Sequence, residues 1–117
     1  MSPNSHKDLK VWQESMDLVE KIYQLTNSFP SNEQFGLVSQ MRRSAVSIPS
    51  NIAEGAGRKG SREFGRFLYI AMGSLSELET QFEISQRLQY VTKQEDIGEI
   101  IIYIRRMLSK LIKSITP

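Results

Sequence analysis

The sequence has no cysteine and a single histidine, His6, among its 117 residues. Disulfides and thiolate-bound metals are therefore excluded, and a reducing compartment is expected. No apolar run approaches the ~18 residues that a membrane-spanning helix needs. The opening MSPNSHKDLK has no apolar stretch of the kind that directs export. The expected location is the cytoplasm, without membrane attachment. No useful stretch alternates with the period of two that a half-buried strand requires. The length suits one domain, with a polar leader over residues 1–8 and a single unit over 9–115.

The inventory for catalysis is equally thin. His6 lies in the leader, so no general base is placed to activate any of the many serines. A di-metal bundle site needs inward carboxylates with Glu-x-x-His pairs, and those histidines are missing. Glu79 and Glu83 form an i, i+4 carboxylate pair that reads as a solvated acidic face. The glycine-rich run from Gly55 to Ser61 follows a helix and lacks the G-x-x-x-x-G-K-[ST] spacing of a phosphate loop. It still joins free backbone N–H groups and cations to a helix start, so it reads either as an anion contact or as a plain interhelical corner. No enzymatic activity, metal or cofactor is expected.

What the sequence does have is helical periodicity from end to end, which makes the fold all-α. Leu9, Trp12, Met16, Val19 and Tyr23 form the first stripe. Ser31 with Gln34 fits a capping box that starts a second helix, whose inward positions are Phe35, Val38, Met41, Ala45, Ile48 and Ile52. Pro49 predicts a kink in it. After the corner of Gly55, Gly57 and Gly60, Ser61 caps a third helix with Phe64, Leu68, Ala71, Leu75, Leu78 and Phe82 inward. Thr92 with Glu95 forms another capping box, followed by Ile97, Ile101, Ile104, Leu108, Leu111 and Ile115. Short connections favour an antiparallel up-down-up-down four-helix bundle with a kinked second helix.

The apolar material exceeds what one such core uses. Val11, Leu18, Ile22 and Leu25 lie roughly 130° round the first helix from its main stripe, and Ile102 projects away from the Ile97/Ile104 stripe. Gly73 sits mid-helix at a cost of about 1 kcal/mol relative to alanine, for which close approach of another backbone would compensate. These six residues predict a homo-oligomer built through outer helix faces.

Charge is segregated: residues 41–70 carry six basic residues against two acids, and the tail from Arg105 carries four basic residues and no acid. On the third helix Arg62, Arg66 and Tyr69 fall within roughly 60° of one another. Arginine beside tyrosine suits phosphate contact and base stacking, and equally a protein interface. With Arg42, Arg43, Arg58 and Lys59 these residues form the candidate nucleic-acid-binding set. A salt-bridge network involving Glu54 is the competing explanation.

The run from Gln40 to Gly55, QMRRSAVSIPSNIAEG, resembles the signature of the 23S ribosomal RNA intervening sequence protein family. So do Leu9-Lys10-Val11-Trp12-Gln13, Phe29-Pro30 with Phe35-Gly36-Leu37, and the third helix from Glu63-Phe64 to Glu77-Leu78-Glu79. The resemblance covers about Leu9 to Ile115. One departure is Gln89, which stands where the family often has glycine before a tyrosine.

The resemblance implies an antiparallel four-helix bundle, a ring-like homopentamer and no established enzymatic activity. Its genes occur within inserts of bacterial ribosomal RNA genes, and a basic pentameric relative associates with reverse transcriptase and nucleic acid. The expected partners are thus further copies of this chain and RNA, DNA or a nucleic-acid-processing protein. The alternative is an interaction module whose arginines hold subunits together.

Overall fold

Four helices carry the apolar periodicity of the sequence, and each buries one face against the others. The structure, a computed structural model, describes residues 5–91 and 96–116. In chain order the helices are α1 (Lys10–Thr26), α2 (Leu37–Ala56), α3 (Ser61–Arg87) and α4 (Ile97–Ile115), with 3-10 turns at His6–Asp8 and Ser31–Glu33. No strand occurs among the described residues. Leu18 and Ile22 of α1, Met41, Ile48 and Ile52 of α2, Leu68, Leu75 and Leu78 of α3, and Ile101, Ile104 and Leu108 of α4 are all sealed from solvent. Each such side chain contributes about 1.5–3 kcal/mol by leaving water. The helices pack into an all-α body of 46 × 23 × 20 Å. No described helix is long and apolar enough to cross a membrane.

The inward face of α1 differs from the expected one. Val11, Leu18 and Ile22 are buried in the protomer's own core and Leu25 is half-buried against it, so this stripe does not face sister chains. Met16 and Tyr23, expected inside, are 39% and 41% exposed. The reason lies in two polar residues that complete the true stripe. The Ser15 hydroxyl donates to the Val11 carbonyl at 2.7 Å, and the Thr26 hydroxyl to the Ile22 carbonyl at 2.7 Å. Their donors are satisfied within the helix, so both side chains can be buried. A reading by apolarity alone skips them. The helix nevertheless meets two neighbours, α2 and α4.

The second helix begins five residues later than the capping box at Ser31 predicts. Ser31–Glu33 makes a separate 3-10 turn, and the Glu33 carboxylate accepts the Leu37 N–H at 3.1 Å, satisfying a donor of the first turn of α2. Phe35, placed inward by its spacing, therefore lies before the helix and is 95% exposed. Pro49 is buried and α2 continues through it. Close to it the Ser50 hydroxyl donates to the Val46 carbonyl and the Asn51 amide to the Ser47 carbonyl, each at 2.8 Å.

Gly55 belongs to α2 and not to the corner. A Cβ there would meet Phe67 Cβ at 2.8 Å and Phe64 Cδ1 at 3.0 Å, so its bare backbone lets α3 come close. Gly60, with φ of 86°, makes the turn and occupies the N-cap of α3. Ser61 is thus the first helical residue, and its side chain makes no cap hydrogen bond.

Gln89, although not a glycine, takes the left-handed conformation, with φ of 66°. Its N–H donates to the Gln86 carbonyl at 3.0 Å and the Tyr90 N–H to Ser85 at 2.9 Å, which is a Schellman ending of α3. The capping box at Thr92 and Glu95 lies outside the described residues. In α4 the buried series continues from Leu108 to Ile112, leaving Leu111 and Ile115 half-buried. A straight helix drifts by about 20° per heptad from a strict seven-residue repeat. Within the leader, the His6 ring packs edge-on against Trp12 with centroids 5.1 Å apart.

Candidate nucleic-acid interface

The seven candidate residues fall into three environments. Arg42 turns back onto the end of α1: its Nε donates to Thr26 Oγ1 at 3.0 Å and its Nη2 to Asn27 Oδ1 at 3.1 Å. The guanidinium also lies 4.4 Å from the Tyr23 ring centroid. Thr26 ends α1, where helix carbonyls lack intrahelical donors and the macrodipole favours a cation. Arg42 thus joins α2 to the end of α1. Arg43, one residue on, is exposed.

Arg58 and Arg66 are partly engaged. Arg58 pairs with Glu54 at 2.6 Å one helical turn earlier, and Arg66 with Glu63 at 3.5 Å. Both guanidinium groups lie near Phe67, at 5.1 and 4.7 Å from its ring centroid. Glu54 thus finds its arginine in the corner that directly follows its own helix. These pairs are exposed, so solvent and salt screen them.

Arg62 and Lys59 are exposed and make no ion pair among the described residues. Arg62, Arg66 and the 63%-exposed Tyr69 come together in an open groove of about 930 Å³. Its other walls are Ser61, Glu63, Gly65 and the α4 end at Ile115 and Thr116. The groove lies beside the first turns of α3, whose N-terminus carries the positive end of the helix dipole. Cations, an accessible tyrosine ring and free backbone N–H groups therefore share one surface, which suits a phosphodiester with an unstacked base. Arg43 lies elsewhere, in a shallow cleft with Gln40, Ser44, Ser47, Ser74 and Glu77.

Of the expected interface residues, two remain outside. Ile102 is 48% exposed, and Gly73 is open, with nothing within 4 Å of the position its Cβ would take. Within the protomer no neighbouring backbone accounts for that glycine. The carboxylates of the acidic face each pair with an arginine: Glu79 with Arg105 at 2.8 Å and Glu83 with Arg87 at 2.8 Å.

The basic residues of the tail lie along α4. Arg106, Lys110 and Lys113 are exposed on α4 and make no ion pair among the described residues. The signal that locates them is their helical phase, which composition does not record.

None of the curated proteins compared with the chain matches it. A family match covers residues 7–110, including all four helices except the last turn of α4. Together with the four-helix all-α fold, that match places this chain in the 23S rRNA-intervening sequence protein family.

Proposed function

We propose that this protein is a non-enzymatic, cytoplasmic bundle that binds nucleic acid or a ribonucleoprotein partner, as a ring-like homopentamer of antiparallel up-down-up-down protomers. The observation that carries the binding reading is the convergence of Arg62, Arg66 and Tyr69 on one open groove. Arg58 and Lys59 in and beside the preceding corner would extend its positive field. Repetition of the groove in an oligomer would add avidity without new contacts. The antiparallel order is supported by Gly55, late in α2, lying against Phe64 and Phe67, early in α3. Ser47 and Ser74, sharing a hydrogen bond at 2.8 Å, extend the same pairing. The non-enzymatic reading is supported by the engagement of the chemically capable groups, His6 by Trp12 and Glu79 and Glu83 by arginines.

A titration of labelled single-stranded RNA and DNA across salt tests the binding. Affinity should fall steeply as salt rises, because phosphate contacts release counterions. Arg62→Gln with Arg66→Gln should weaken binding while sedimentation shows the assembly unchanged. Absence of binding at low salt would overturn the reading.

The open Gly73 and the exposed Ile102 favour a second reading, an interaction module whose task is assembly itself. Loss of the oligomer in the Arg62→Gln, Arg66→Gln variant would assign those arginines to a subunit interface.

A further inference from the structure

The strongest uncommitted charge on the molecule is not in the groove. After Glu99 the chain contains no acid, and α4 carries its remaining cations through its second half. Arg105 is spoken for by Glu79, with a second contact from its guanidinium to the Ser76 hydroxyl at 3.3 Å. Tyr103, Arg106, Lys110 and Lys113 follow at intervals of three and four, so at about 100° per residue they stay within roughly 80° of one another. All four are exposed. No ion pair among the described residues involves Arg106, Lys110 or Lys113. Lys113, in the last turn, is favourably placed against the helix dipole, but Arg106 lies two turns earlier and beyond its reach.

The geometry points to this outer face of α4 as a track for the backbone of single-stranded nucleic acid, in addition to the groove at Arg62, Arg66 and Tyr69. At 1.5 Å of rise per residue, Arg106 to Lys113 spans about 10 Å, enough for more than one successive phosphate. The exposed ring of Tyr103 stands one turn from Arg106 and supplies a stacking surface, which a duplex with its bases paired cannot use. Ile115, a wall of the groove, lies about 160° round the helix from Lys113, on the side packed against the core, so the cationic face is a surface of its own on the outside of α4. The groove alone offers Arg62 free and Arg66 shared with Glu63. The α4 face adds three cations with no competing carboxylate.

This inference rests on the nucleic-acid reading, and the experiment separates the two. Wild type and the Arg106→Gln, Lys110→Gln, Lys113→Gln variant are titrated with labelled single-stranded oligouridine, a duplex of equal length, and phosphatidylserine-containing vesicles, at several salt concentrations. Circular dichroism and sedimentation confirm folding and assembly. Three lost phosphate contacts should lower the salt slope for the single strand by about 2 and its affinity about a hundredfold near 0.1 M salt. A second variant, Arg106→Lys with Lys110→Arg and Lys113→Arg, should bind as wild type. Tyr103→Leu should cost the single strand about fivefold or more and leave the duplex unchanged. Arg87→Gln, which removes a cation already paired with Glu83, serves as the control.

Wild type that binds no nucleic acid would overturn the functional reading and the track with it. Wild type that binds while the triple glutamine variant binds equally would overturn the track alone. So would a variant impaired only toward vesicles, which assigns the face to a membrane surface, or one that loses its oligomeric state, which assigns it to a second copy of the chain.

Discussion

The Tyr90 hydroxyl donates to the Glu33 carboxylate at 2.8 Å, across 57 residues of sequence. The other Glu33 oxygen accepts the Leu37 N–H at 3.1 Å, so one carboxylate fastens the start of α2 to the segment that follows α3. The Phe29 ring lies 5.3 Å from that of Tyr90 and extends the contact to the corner after α1. The Leu37 N–H first, and the Tyr90 hydroxyl second, hold the Glu33 carboxyl below its ordinary pKa, while Glu33 pushes the Tyr90 hydroxyl above its own.

Both shifts make stability depend on pH, with opposite signs. Glu33 binds protons less readily when folded, so its contribution is full above the unfolded carboxyl value of about 4.3 and fades as pH falls through the lowered one. Tyr90 holds its proton more firmly when folded, so its contribution is full below about pH 10 and fades as pH rises beyond that. The difference in melting temperature between wild type and Tyr90→Phe should therefore be largest between these limits and shrink at both ends. A constant difference across the whole range in a pH series of thermal melts would contradict the linkage.

Gln89 holds a left-handed conformation that costs a non-glycine residue about 1–2 kcal/mol. Replacing it with glycine removes that strain, against an added unfolded-state entropy of about 0.4–1 kcal/mol. Gln89→Gly should stabilise the protein by up to about 1 kcal/mol, a rise of roughly 4 °C in melting temperature. The Schellman hydrogen bonds from the Gln89 and Tyr90 N–H groups stay in place. Equilibrium denaturation measures the gain, and a loss of stability would show that the Gln89 side chain itself matters.

Gly55 and Gly73 should respond oppositely to alanine. At Gly55 a methyl group would collide with Phe67 Cβ and the Phe64 carbonyl, so Gly55→Ala should destabilise by about 1–3 kcal/mol. At Gly73 the methyl group enters open space in the protomer, and helix propensity alone predicts a gain of about 1 kcal/mol. That sign reverses if a sister helix covers Gly73. Denaturation at several protein concentrations, read beside sedimentation, distinguishes the two cases.

The all-α fold was legible because four helical apolar patterns recur with almost no interruption. Helix identity survived even where the inward face did not. On α1, burial of Ser15 and Thr26 depends on their hydroxyls reaching the carbonyls four residues back, a local solution that hydrophobicity leaves invisible. Phe35 misled for a related reason: its phase matches the stripe of α2, but the chain is not yet helical there. The candidate site was legible where phase and charge coincided, at Arg62, Arg66 and Tyr69. It was not legible at Arg42, whose partners lie at least 15 residues away in sequence.

Arg42 supplies the sharpest contrast between holding a fold and holding a ligand. Its planar fork reaches the Thr26 hydroxyl and the Asn27 amide oxygen together while lying over the Tyr23 ring. A lysine in its place keeps the charge but cannot reproduce two directed N–H bonds and a stacked plane. Arg42→Lys and Arg42→Gln should therefore both lower stability, by about 1–2 kcal/mol for glutamine, since the site is only partly buried and its charged hydrogen bonds are partly replaced by water. Neither should change the RNA affinity of the folded protein at fixed salt, whereas Arg62→Gln should change affinity and leave stability within about 0.5 kcal/mol. Paired melts and titrations decide the matter. If Arg42→Lys retains full stability and only Arg42→Gln loses RNA affinity, the charge faces a ligand and the bracing of α1 is incidental.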